Sequence, residues 1–443
     1  LSIDLINIAP LDDLHSPKGA IKEAQQLAAE AFGADHTFFS IQGTSGAIMT
    51  MIMSVVGQGD KILVPRNVHK SIMSAIVFSG AIPIFIHPEV DTELGISHGI
   101  TPESVERALE TYPDAKAVLV INPTYFGFVA DLQRIVDIVH ARNIPVIVDE
   151  AHGVLMKFHD DLPLSAMQAG ADMAATSVHK LGGSMTQSSV LNVREGLVSA
   201  KRVQTVLSML TTTSTSYPLL ASLDTARRQL AVHGYDLIDD AVRLAKDTRK
   251  RINNINHLYC VGREKLHSSA TFDMDPLKLL ISVKDLGITG HQAEEWLRHN
   301  ANLEVELSDL YNILCLVTLG DTKKEMNLLV NALQRMSQAF DSEAVVTETN
   351  VNVPEIPALA MTPRDAFYAE TEIVPLKDAH DRISAEFIMI YPPGIPIFIP
   401  GEVITQQTID FIQENIAAGL PVQGLEDDTL QNIRVIQERR AIY

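Results

Sequence analysis

The sequence predicts an α/β fold built around a mainly parallel β-sheet. Between Thr37 and Val193, short apolar runs alternate with stretches of helical pattern. The runs are apolar throughout, which is typical of strands covered by helices on both faces. Several helical stretches carry proline at or near the first turn, as at Pro102 and Pro163, a position that proline favours. In such sheets ligands bind at the carboxyl ends of the strands.

The elements of this large domain, residues 1–235, follow in order along the chain. Strands are predicted at residues 37–41, 61–64, 82–86, 117–121, 145–149, 173–176 and 189–193. Helices are predicted at residues 45–56, 69–79, 102–112, 132–141 and 163–169. Asn122, Asp149 and the loop 177–180 therefore fall at carboxyl ends of predicted strands, where a ligand is expected.

The pattern changes after about residue 235, which predicts further domains. A charged amphipathic helix at 236–255 is followed by apolar runs at 279–283 and 313–318 and by helices at 290–299 and 323–339. This indicates a smaller α+β domain over residues 236–341. Residues 342–357 are acidic and contain scattered prolines, as is typical of a linker. Residues 358–443 form a C-terminal domain, in which the proline- and glycine-rich run 391–402 predicts a rigid, irregular segment.

Composition limits the partners and the location of the protein. A formal net charge of −20 over 443 residues makes nucleic acid a poor partner. The charge favours cationic small molecules, although acidity also serves solubility alone. Cys260 and Cys315, the two cysteines, form no disulfide framework, so we expect a reducing, cytoplasmic location. No signal peptide is visible, and the longest apolar stretch, residues 47–56, is too short to cross a membrane.

Two charged residues at neighbouring strand ends predict an aldehyde cofactor. Asp149 ends an apolar strand, where a carboxylate is costly unless it is paired. Lys180 lies in a loop of small residues after the next strand, where desolvation lowers the pKa of an amine. Pyridoxal 5′-phosphate (PLP) requires such a pair, because a lysine forms the Schiff base and an acid keeps the pyridine nitrogen protonated.

A segment near the first strand predicts a site for the cofactor's phosphate. Gly43, Thr44 and Ser45 follow a strand and open a helix, and a helix N-terminus favours an anion through its N–H groups and its dipole. A tight turn with a helix cap would use similar residues. Ser177 and His179 can also donate to a phosphate.

Two histidines lie close to these segments. His69 follows the second strand and can lie flat against an aromatic ring, although a helix-capping role explains it as well. His152 lies near Glu150, a combination that can ligate a metal ion. No third ligand at a recognised spacing accompanies the pair, so we expect no metal site.

These motifs, together with a C-terminal run, resemble one family. The sequence carries Gln-Gly-Thr-Ser-Gly (42–46), Arg-Asn-Val-His-Lys-Ser (66–71), Val-Asp-Glu-Ala-His-Gly (148–153), Ser-Val-His-Lys (177–180) and a Tyr-Pro-Pro-Gly…Pro-Gly-Glu run (391–402). Over nearly its whole length the chain resembles the fold-type I ornithine/lysine/arginine decarboxylases, above all the compact biosynthetic arginine decarboxylases of Gram-positive bacteria. The resemblance implies an aspartate aminotransferase-like large domain, followed by the smaller α+β domain and a C-terminal domain.

The resemblance also implies a role for each motif. Lys180 would form the Schiff base, Asp149 would pair with the pyridine nitrogen, and His69 would stack on the ring. His152 would stand beside Asp149 in the pocket wall. The phosphate would be held by Gly43, Thr44, Ser45, Ser177 and His179. In the hydroxyl-rich run 211–216, Thr212 and Ser214 would reach the cofactor of a neighbouring subunit, which requires a homodimer or a higher homo-oligomer.

The implied reaction is the decarboxylation of L-arginine, a basic amino acid, to agmatine and CO₂ for polyamine (spermidine) biosynthesis. Glu402 is a candidate partner for the guanidinium group, because a carboxylate pairs with that planar fork through two hydrogen bonds. A solvated turn glutamate is the competing interpretation of Glu402. Thr124 is a second substrate candidate, and lysine or ornithine specificity stays open.

Other interpretations also stay open. An aminotransferase or an acyl-CoA-dependent synthase would share the fold, and an aminotransferase typically clamps the α-carboxylate with an arginine, for which Arg364 is the candidate. A non-catalytic relative is a further alternative, against which the intact Asp149 and Lys180 argue. Family members usually carry an N-terminal His-x-Pro-Gly-His-Lys segment, which this sequence lacks. The chain begins with Leu rather than Met, so we expect part of the active-site wall to be missing.

Overall fold

A seven-stranded sheet organises the large domain. The structure, a computed structural model, describes residues 3–5, 8–340, 354–390, 395–417 and 422–437. The strands are β1 (His36–Ser40), β2 (Lys61–Pro65), β3 (Ile82–Ile86), β4 (Ala117–Ile121), β5 (Val146–Asp149), β6 (Met173–Thr176) and β7 (Ser189–Val193). Their order is β1-β7-β6-β5-β4-β2-β3, and only β7 runs antiparallel to its two neighbours. The predicted α/β fold with a mainly parallel sheet is confirmed.

Helices cover both faces of this sheet, as the apolar strands predict. The helices of the chain are α1 (Ala20–Phe32), α2 (Gly43–Val55), α3 (Lys70–Ser79), α4 (Pro102–Thr111), α5 (Leu132–His140), α6 (Val178–Leu181), α7 (Ala200–Leu210), α8 (Tyr217–Ile252), α9 (Gly290–Ala301), α10 (Lys323–Ala339), α11 (Pro363–Tyr368) and α12 (Gln406–Ala417). Within the described ranges, none of them is long and apolar enough to cross a bilayer.

The predicted helix at residues 163–169 is wrong, since this segment forms turns. Side chains capture the backbone groups that a helix would use. The Ala166 N–H donates to the Glu150 carboxylate at 2.6 Å, and the Ser165 N–H donates to the Gln168 side chain at 3.0 Å. Proline at the start of a segment permits a helix but does not form one when its donors are bound elsewhere.

The small domain is an antiparallel sheet that packs against the end of α8. Its strands are β8 (Tyr259–Cys260), β9 (Lys278–Ser282), β10 (Leu307–Ser308) and β11 (Asn312–Leu316), in the order β8-β9-β11-β10. Helix α8 is continuous through residue 235, so the predicted boundary there falls inside a helix. Arg249 of α8 donates to the backbone carbonyls of Val261 and Lys278, each at 2.8 Å. These bonds hold the small sheet against the C-terminal end of α8.

The C-terminal part contains two small antiparallel sheets. Its strands are β12 (Thr371–Pro375), β13 (Ile388–Ile390), β14 (Ile395–Phe398), β15 (Val422–Gln423) and β16 (Asn432–Ile436). Strand β12 pairs with β16, and β13 lies between β14 and β15. Residues 395–398 of the predicted irregular segment are therefore a strand. Pro396 is tolerated because β14 is an edge strand. Residues 391–394 of that segment, and 342–353 of the predicted linker, lie outside the described residues.

Candidate functional site

A cavity of about 1030 Å³ opens at the carboxyl ends of β2, β4, β5 and β6. This is the edge of a parallel sheet at which ligands bind. Of the predicted site residues, the structure brings together at this cavity Gly43, Thr44, Ser45, His69, Thr124, Asp149, His152, Ser177, His179 and Lys180.

Lys180 lies in α6, the short helix that follows β6, and its amine faces the cavity. The Nζ atom is 2.7 Å from Nε2 of His152. Although water reaches the side chain through the cavity, the surrounding walls displace much of its hydration. This desolvation lowers the pKa of the Lys180 amine, against the opposing charges of Asp149 and Glu306. A lowered pKa is what an amine needs in order to attack an aldehyde near neutral pH.

Asp149 ends β5 and is buried at the floor of the cavity. Its Oδ1 accepts the Ala151 N–H at 3.1 Å. Burial raises the pKa of Asp149 to about 6, although the Ala151 N–H and the charge of Lys180 both lower it. A buried carboxylate in this state is poised to receive a protonated nitrogen.

Hydroxyl groups meet at the N-terminus of α2. The Thr44 hydroxyl hydrogen-bonds to the Ser177 hydroxyl and lies 2.7 Å from that of Ser189. Gly43 adopts a φ of +69°, and a Cβ at this position would meet nothing within 4 Å. This helix N-terminus is therefore open to the cavity and suits a phosphate. Ser189 is an addition that the sequence did not predict.

Two of the three predicted histidines, His69 and His179, differ in what they can donate. Nδ1 of His69 accepts the Ser71 N–H at 3.2 Å and so caps α3. Burial lowers the pKa of His69, and Lys180 and Lys70 lower it further. Nδ1 of His179 lies 2.8 Å from the Ser188 carbonyl, and because a carbonyl only accepts, this nitrogen carries the proton. The other nitrogen of His179 can donate to a phosphate only if the ring gains a second proton.

His152 is packed between an aromatic ring and two amines. Its ring centroid lies 4.3 Å from that of Tyr125. Nε2 faces Lys180 at 2.7 Å, and Nδ1 faces the amine of Lys278 at 3.3 Å. Burial lowers the pKa of His152 well below its ordinary value, and the charges of Lys278 and Lys180 lower it further. The imidazole is therefore neutral at physiological pH. Sequence reasoning missed both Tyr125 and Lys278.

These residues fit PLP, which the fold implies. One cavity contains an amine with a lowered pKa, a buried carboxylate that a pyridinium would neutralise, and an open helix N-terminus for the phosphate. The carboxylate of Glu150, the candidate metal ligand near His152, accepts the Ala166 N–H at 2.6 Å and the Thr176 hydroxyl at 3.0 Å. Its role is to hold the segment around residue 166 against the end of β5.

The predicted role of Glu402 in binding a substrate guanidinium is corrected by the structure. Glu402 is buried, and its two oxygens accept from Nη1 and Nη2 of Arg66 at 2.6 and 2.8 Å. The Ile399 N–H also donates to it at 3.0 Å. The partner is thus a guanidinium of the protein itself, because a buried carboxylate needs a compensating charge. Glu402 is not among the residues that line the cavity.

Arg364 does not clamp a ligand in this site. Its Nη1 donates to the carbonyls of Val77 and Phe78, at 3.3 and 2.7 Å, and its guanidinium lies over the Tyr368 ring. The residue joins α11 to the end of α3. The candidate arginine for an aminotransferase carboxylate clamp is therefore absent from the cavity lining.

Thr212 and Ser214 lie outside the cavity of their own chain. The Ser214 N–H donates to the Thr212 hydroxyl at 3.2 Å, and the Thr212 carbonyl lies 3.0 Å from Nε2 of His15. Both residues are exposed. Thr124 does line the cavity, and its hydroxyl accepts the Phe128 N–H at 3.2 Å.

The other two domains also contribute to the cavity wall. The small domain supplies His291, Leu307, Ser308 and Asp309, and the C-terminal domain supplies Phe387, Met389, Gln423 and Gly424. No sequence motif marks these residues, because their position depends on how the domains pack.

Two family models match the chain. The model described as "Orn/Lys/Arg decarboxylase, major domain" matches residues 1–325, and that described as "Orn/Lys/Arg decarboxylase, C-terminal domain" matches residues 346–432. Together they match most of the chain.

Curated relatives and solved structures agree with these matches. The chain is 68% identical over 443 residues to an arginine decarboxylase of Bacillus anthracis, covering 100% of this chain and 90% of the relative. It is 69% identical to an arginine decarboxylase of Halalkalibacterium halodurans, with the same coverage. The structure of a Francisella novicida lysine decarboxylase superposes with a TM-score of 0.83 at 24% identity, over 96% of this chain and 73% of that one. This last similarity shows the fold.

Proposed function

The chain belongs to the Orn/Lys/Arg decarboxylase family, and from this premise we propose that it catalyses the PLP-dependent decarboxylation of L-arginine to agmatine and CO₂. One observation carries the chemistry: the Lys180 amine and the buried Asp149 carboxylate line one cavity at adjacent strand ends. Arginine as the substrate follows from the relatives that are 68–69% identical over 443 residues.

The residues that would hold the cofactor have distinct tasks. Lys180 would bind the aldehyde carbon, and Asp149 would hold the ring nitrogen in its protonated form. The N-terminus of α2, with Gly43, Thr44 and Ser45, would bind the phosphate, and Ser177 would position the Thr44 hydroxyl. When bound, PLP supplies an electron sink that accepts the pair left behind when CO₂ departs.

After CO₂ leaves, a side chain of the cavity must deliver a proton to Cα of the substrate. Lys180 fits, because its amine faces the cavity and its lowered pKa makes the ammonium form a better proton donor. His152 fits poorly as a donor, because burial and neighbouring amines hold its pKa well below the ordinary value. His69, whose Nδ1 is occupied by Ser71, offers only Nε2 to the cavity. Its task is to lie against the cofactor ring.

The absence of Arg364 from the cavity lining favours decarboxylation over amino transfer. An arginine clamp on the α-carboxylate would stabilise the ground state more than the transition state of CO₂ loss. Arg364 is held instead by the carbonyls at the end of α3. Thr124 stays a candidate for contacting the substrate, since it lines the cavity.

Membership of this decarboxylase family also suggests the pathway, the cellular location and the oligomeric state of the protein. Agmatine feeds polyamine (spermidine) biosynthesis, and that pathway operates in the cytoplasm. We assign the exposed Thr212 and Ser214 to the active site of a neighbouring subunit, so the working unit is a homodimer or larger with shared sites. An exposed hydroxyl pair outside its own cavity is consistent with such a role.

The test is CO₂ release from carboxyl-labelled arginine, lysine and ornithine by the PLP-loaded protein. Arginine is expected to exceed the other two by about 100-fold or more in kcat/KM. Lys180→Ala should abolish both CO₂ release and the near-visible absorbance of the bound cofactor. Lys250→Ala, at an exposed lysine of α8, is the matched control and should leave both unchanged. Turnover retained by Lys180→Ala, or a preference for lysine or ornithine, would overturn the assignment.

A further inference from the structure

A second lysine, from the small domain, reaches His152 in the wall of the catalytic cavity. Lys278 opens β9 and is 0% exposed. Its Nζ donates to the Tyr125 carbonyl at 3.0 Å and lies 3.3 Å from Nδ1 of His152. The same imidazole faces Lys180 with Nε2 at 2.7 Å. Lys278, His152 and Lys180 therefore form a continuous row that runs from the small domain to the cavity.

The direction of these hydrogen bonds depends on the charge of Lys278. An ammonium has three donors and no lone pair, so it can only donate to Nδ1 of His152. Three charged groups of the surroundings act on Lys278 together with burial: Asp275 and Glu306 favour the ammonium, while Lys180 opposes it. Burial lowers the pKa of Lys278 to about 8, so the ammonium form still prevails at neutral pH.

The backbone around Lys278 makes room for it. Gly127 has a φ of +93°, and a Cβ there would lie 2.6 Å from Cδ of Lys278. The aliphatic stem is thus held against a glycine, and the amine passes below the Tyr125 ring, whose centroid is 5.8 Å away. A flexible lysine confined in this way can present its amine in few directions, which suits a positioning task.

We propose that Lys278 is a positioning residue that donates to Nδ1 of His152, fixes the Nε2–H tautomer, and so makes His152 a hydrogen-bond donor to the amine of Lys180. The Lys180 amine then keeps its lone pair and is held in the neutral form. This is the form that can attack an aldehyde. The inference rests on the proposed function only for the identity of the aldehyde cofactor.

The basic groups around His152 act in the same sense. The amines of Lys278 and Lys180 lie 3.3 and 2.7 Å from its two ring nitrogens, and His69 and His179 also disfavour a second proton on the ring. A second proton on His152 would place a positive charge among these groups, so the ring stays neutral. A neutral imidazole has one N–H, and a donor at Nδ1 leaves Nε2 as its only place.

The first test reads the tautomer of His152 in the protein without substitutions. ¹⁵N NMR of histidine-labelled protein distinguishes a protonated from an unprotonated ring nitrogen, and His152→Asn assigns the signals by their loss. In both the PLP-loaded protein and the apoprotein, Nδ1 of His152 is expected to be unprotonated and Nε2 protonated near pH 7. A protonated Nδ1 would overturn the proposal, whatever the substrate of the enzyme proves to be.

The second test follows the Lys180 amine through its reaction with PLP. The rate at which apoprotein binds PLP, recorded by absorbance against pH, reports the fraction of neutral Lys180. Lys278→Met is expected to move the midpoint of this profile to higher pH, which slows binding about tenfold near pH 7 for a shift of one pH unit. Lys278→Arg keeps a positive donor and should shift the midpoint less than Lys278→Met does. Lys250→Met, at an exposed lysine, is the matched control and should leave the midpoint unchanged.

A double substitution separates positioning from simple charge. If Lys278 acts through the tautomer of His152, Lys278→Met should shift the profile in the native background and leave it unshifted in His152→Asn. An equal shift in both backgrounds would mean that only the charge of Lys278 matters, and the proposal would fail. The assay measures cofactor binding rather than CO₂ release, so a wrong substrate assignment would leave its outcome unchanged.

Discussion

Arg66 and Glu402, 336 positions apart in the chain, form a two-pronged ion pair with N–O distances of 2.6 and 2.8 Å. Each side chain is 1% exposed. Arg66 also donates to the carbonyls of Pro396 and Ile397, and its guanidinium stacks on Phe85. Arg66 follows β2, immediately before the segment that carries His69. The pair therefore ties one wall of the cavity to the C-terminal domain.

Glu402→Gln should destabilise the protein without altering recognition of arginine. Removing the charge leaves the Arg66 guanidinium buried and uncompensated, which costs about 3–5 kcal/mol. We expect urea unfolding to show a loss of this size, with the KM for arginine within about twofold of the native value. Glu414→Gln, at an exposed glutamate of α12, is the control and should unfold like the native protein. A large rise in KM at native stability would restore Glu402 as a substrate residue.

Binding of PLP to the apoprotein should weaken as the pH falls below about 6. The pKa of Asp149 is raised to about 6, so acidification through this value protonates the carboxyl and removes the partner of the ring nitrogen. The same raised pKa means that the folded apoprotein binds more protons than the unfolded chain between about pH 4 and 6. Asp149 therefore makes the apoprotein lose stability as the pH rises through this window.

The variant Asp149→Asn tests whether Asp149 is the group whose protonation weakens PLP binding below about pH 6. The substitution should flatten the dependence of the PLP dissociation constant on pH below 6, measured by absorbance titration. Glu150 is the competing group, since burial raises its pKa to about 7. A step that persists in Asp149→Asn and disappears in Glu150→Gln would transfer the effect to Glu150.

Lys278→Met should stabilise the protein at neutral pH while impairing cofactor binding. The pKa of Lys278 is lowered from 10.5 to about 8, so folding with the ammonium buried costs roughly 3 kcal/mol at pH 7. The lost hydrogen bond to Tyr125 offsets about 1 kcal/mol. In the native protein this cost decreases as the pH rises from about 8 to 10.5. In this range Lys278 is still protonated in the unfolded chain but has lost its proton in the folded protein, so stability increases with pH. Urea unfolding at pH 7 and 10 measures both effects, and a destabilised variant at pH 7 would contradict the prediction.

Gly127→Ala should be costlier than Gly59→Ala, although both glycines have positive φ. At Gly59, with φ of +80°, a Cβ would meet nothing within 4 Å, so only backbone strain of about 1 kcal/mol is expected. At Gly127 the Cβ would also meet the stem of Lys278, which adds an overpacking cost of about 1–3 kcal/mol. Thermal unfolding of the pair gives the difference. Equal losses would show that Lys278 moves aside freely.

The proposed sharing of active sites between subunits predicts that two inactive chains restore each other. Lys180→Ala removes the cofactor amine, and Ser214→Glu is expected to block the neighbouring site. In a random mixture about half of the dimers contain both chains, and one site of each such dimer is intact, so about a quarter of native activity should return. CO₂ release from co-expressed chains measures this. No recovery, with mixed dimers present, would place Ser214 outside the partner's site.

Most strands and helices of the large domain can be predicted from the sequence, because each follows from the pattern of neighbouring residues along the chain. Apolar runs such as β4 and β6 appear where they were predicted, and the carboxyl ends of parallel strands must meet at one edge. The helix predicted at 163–169 is wrong because Glu150, outside that segment, binds the Ala166 N–H. Helix α8 likewise crosses a boundary that composition placed at residue 235.

The sequence by itself determined the class of fold and the pairing of Asp149 with Lys180, since both follow from the ends of adjacent parallel strands. The tertiary structure alone decided that Glu402 neutralises Arg66 and that Lys278 reaches His152. The physical reason is that a buried charge or hydrogen bond must be satisfied by whatever group packing brings close. Those groups come from other domains, and no local spacing in the sequence encodes them.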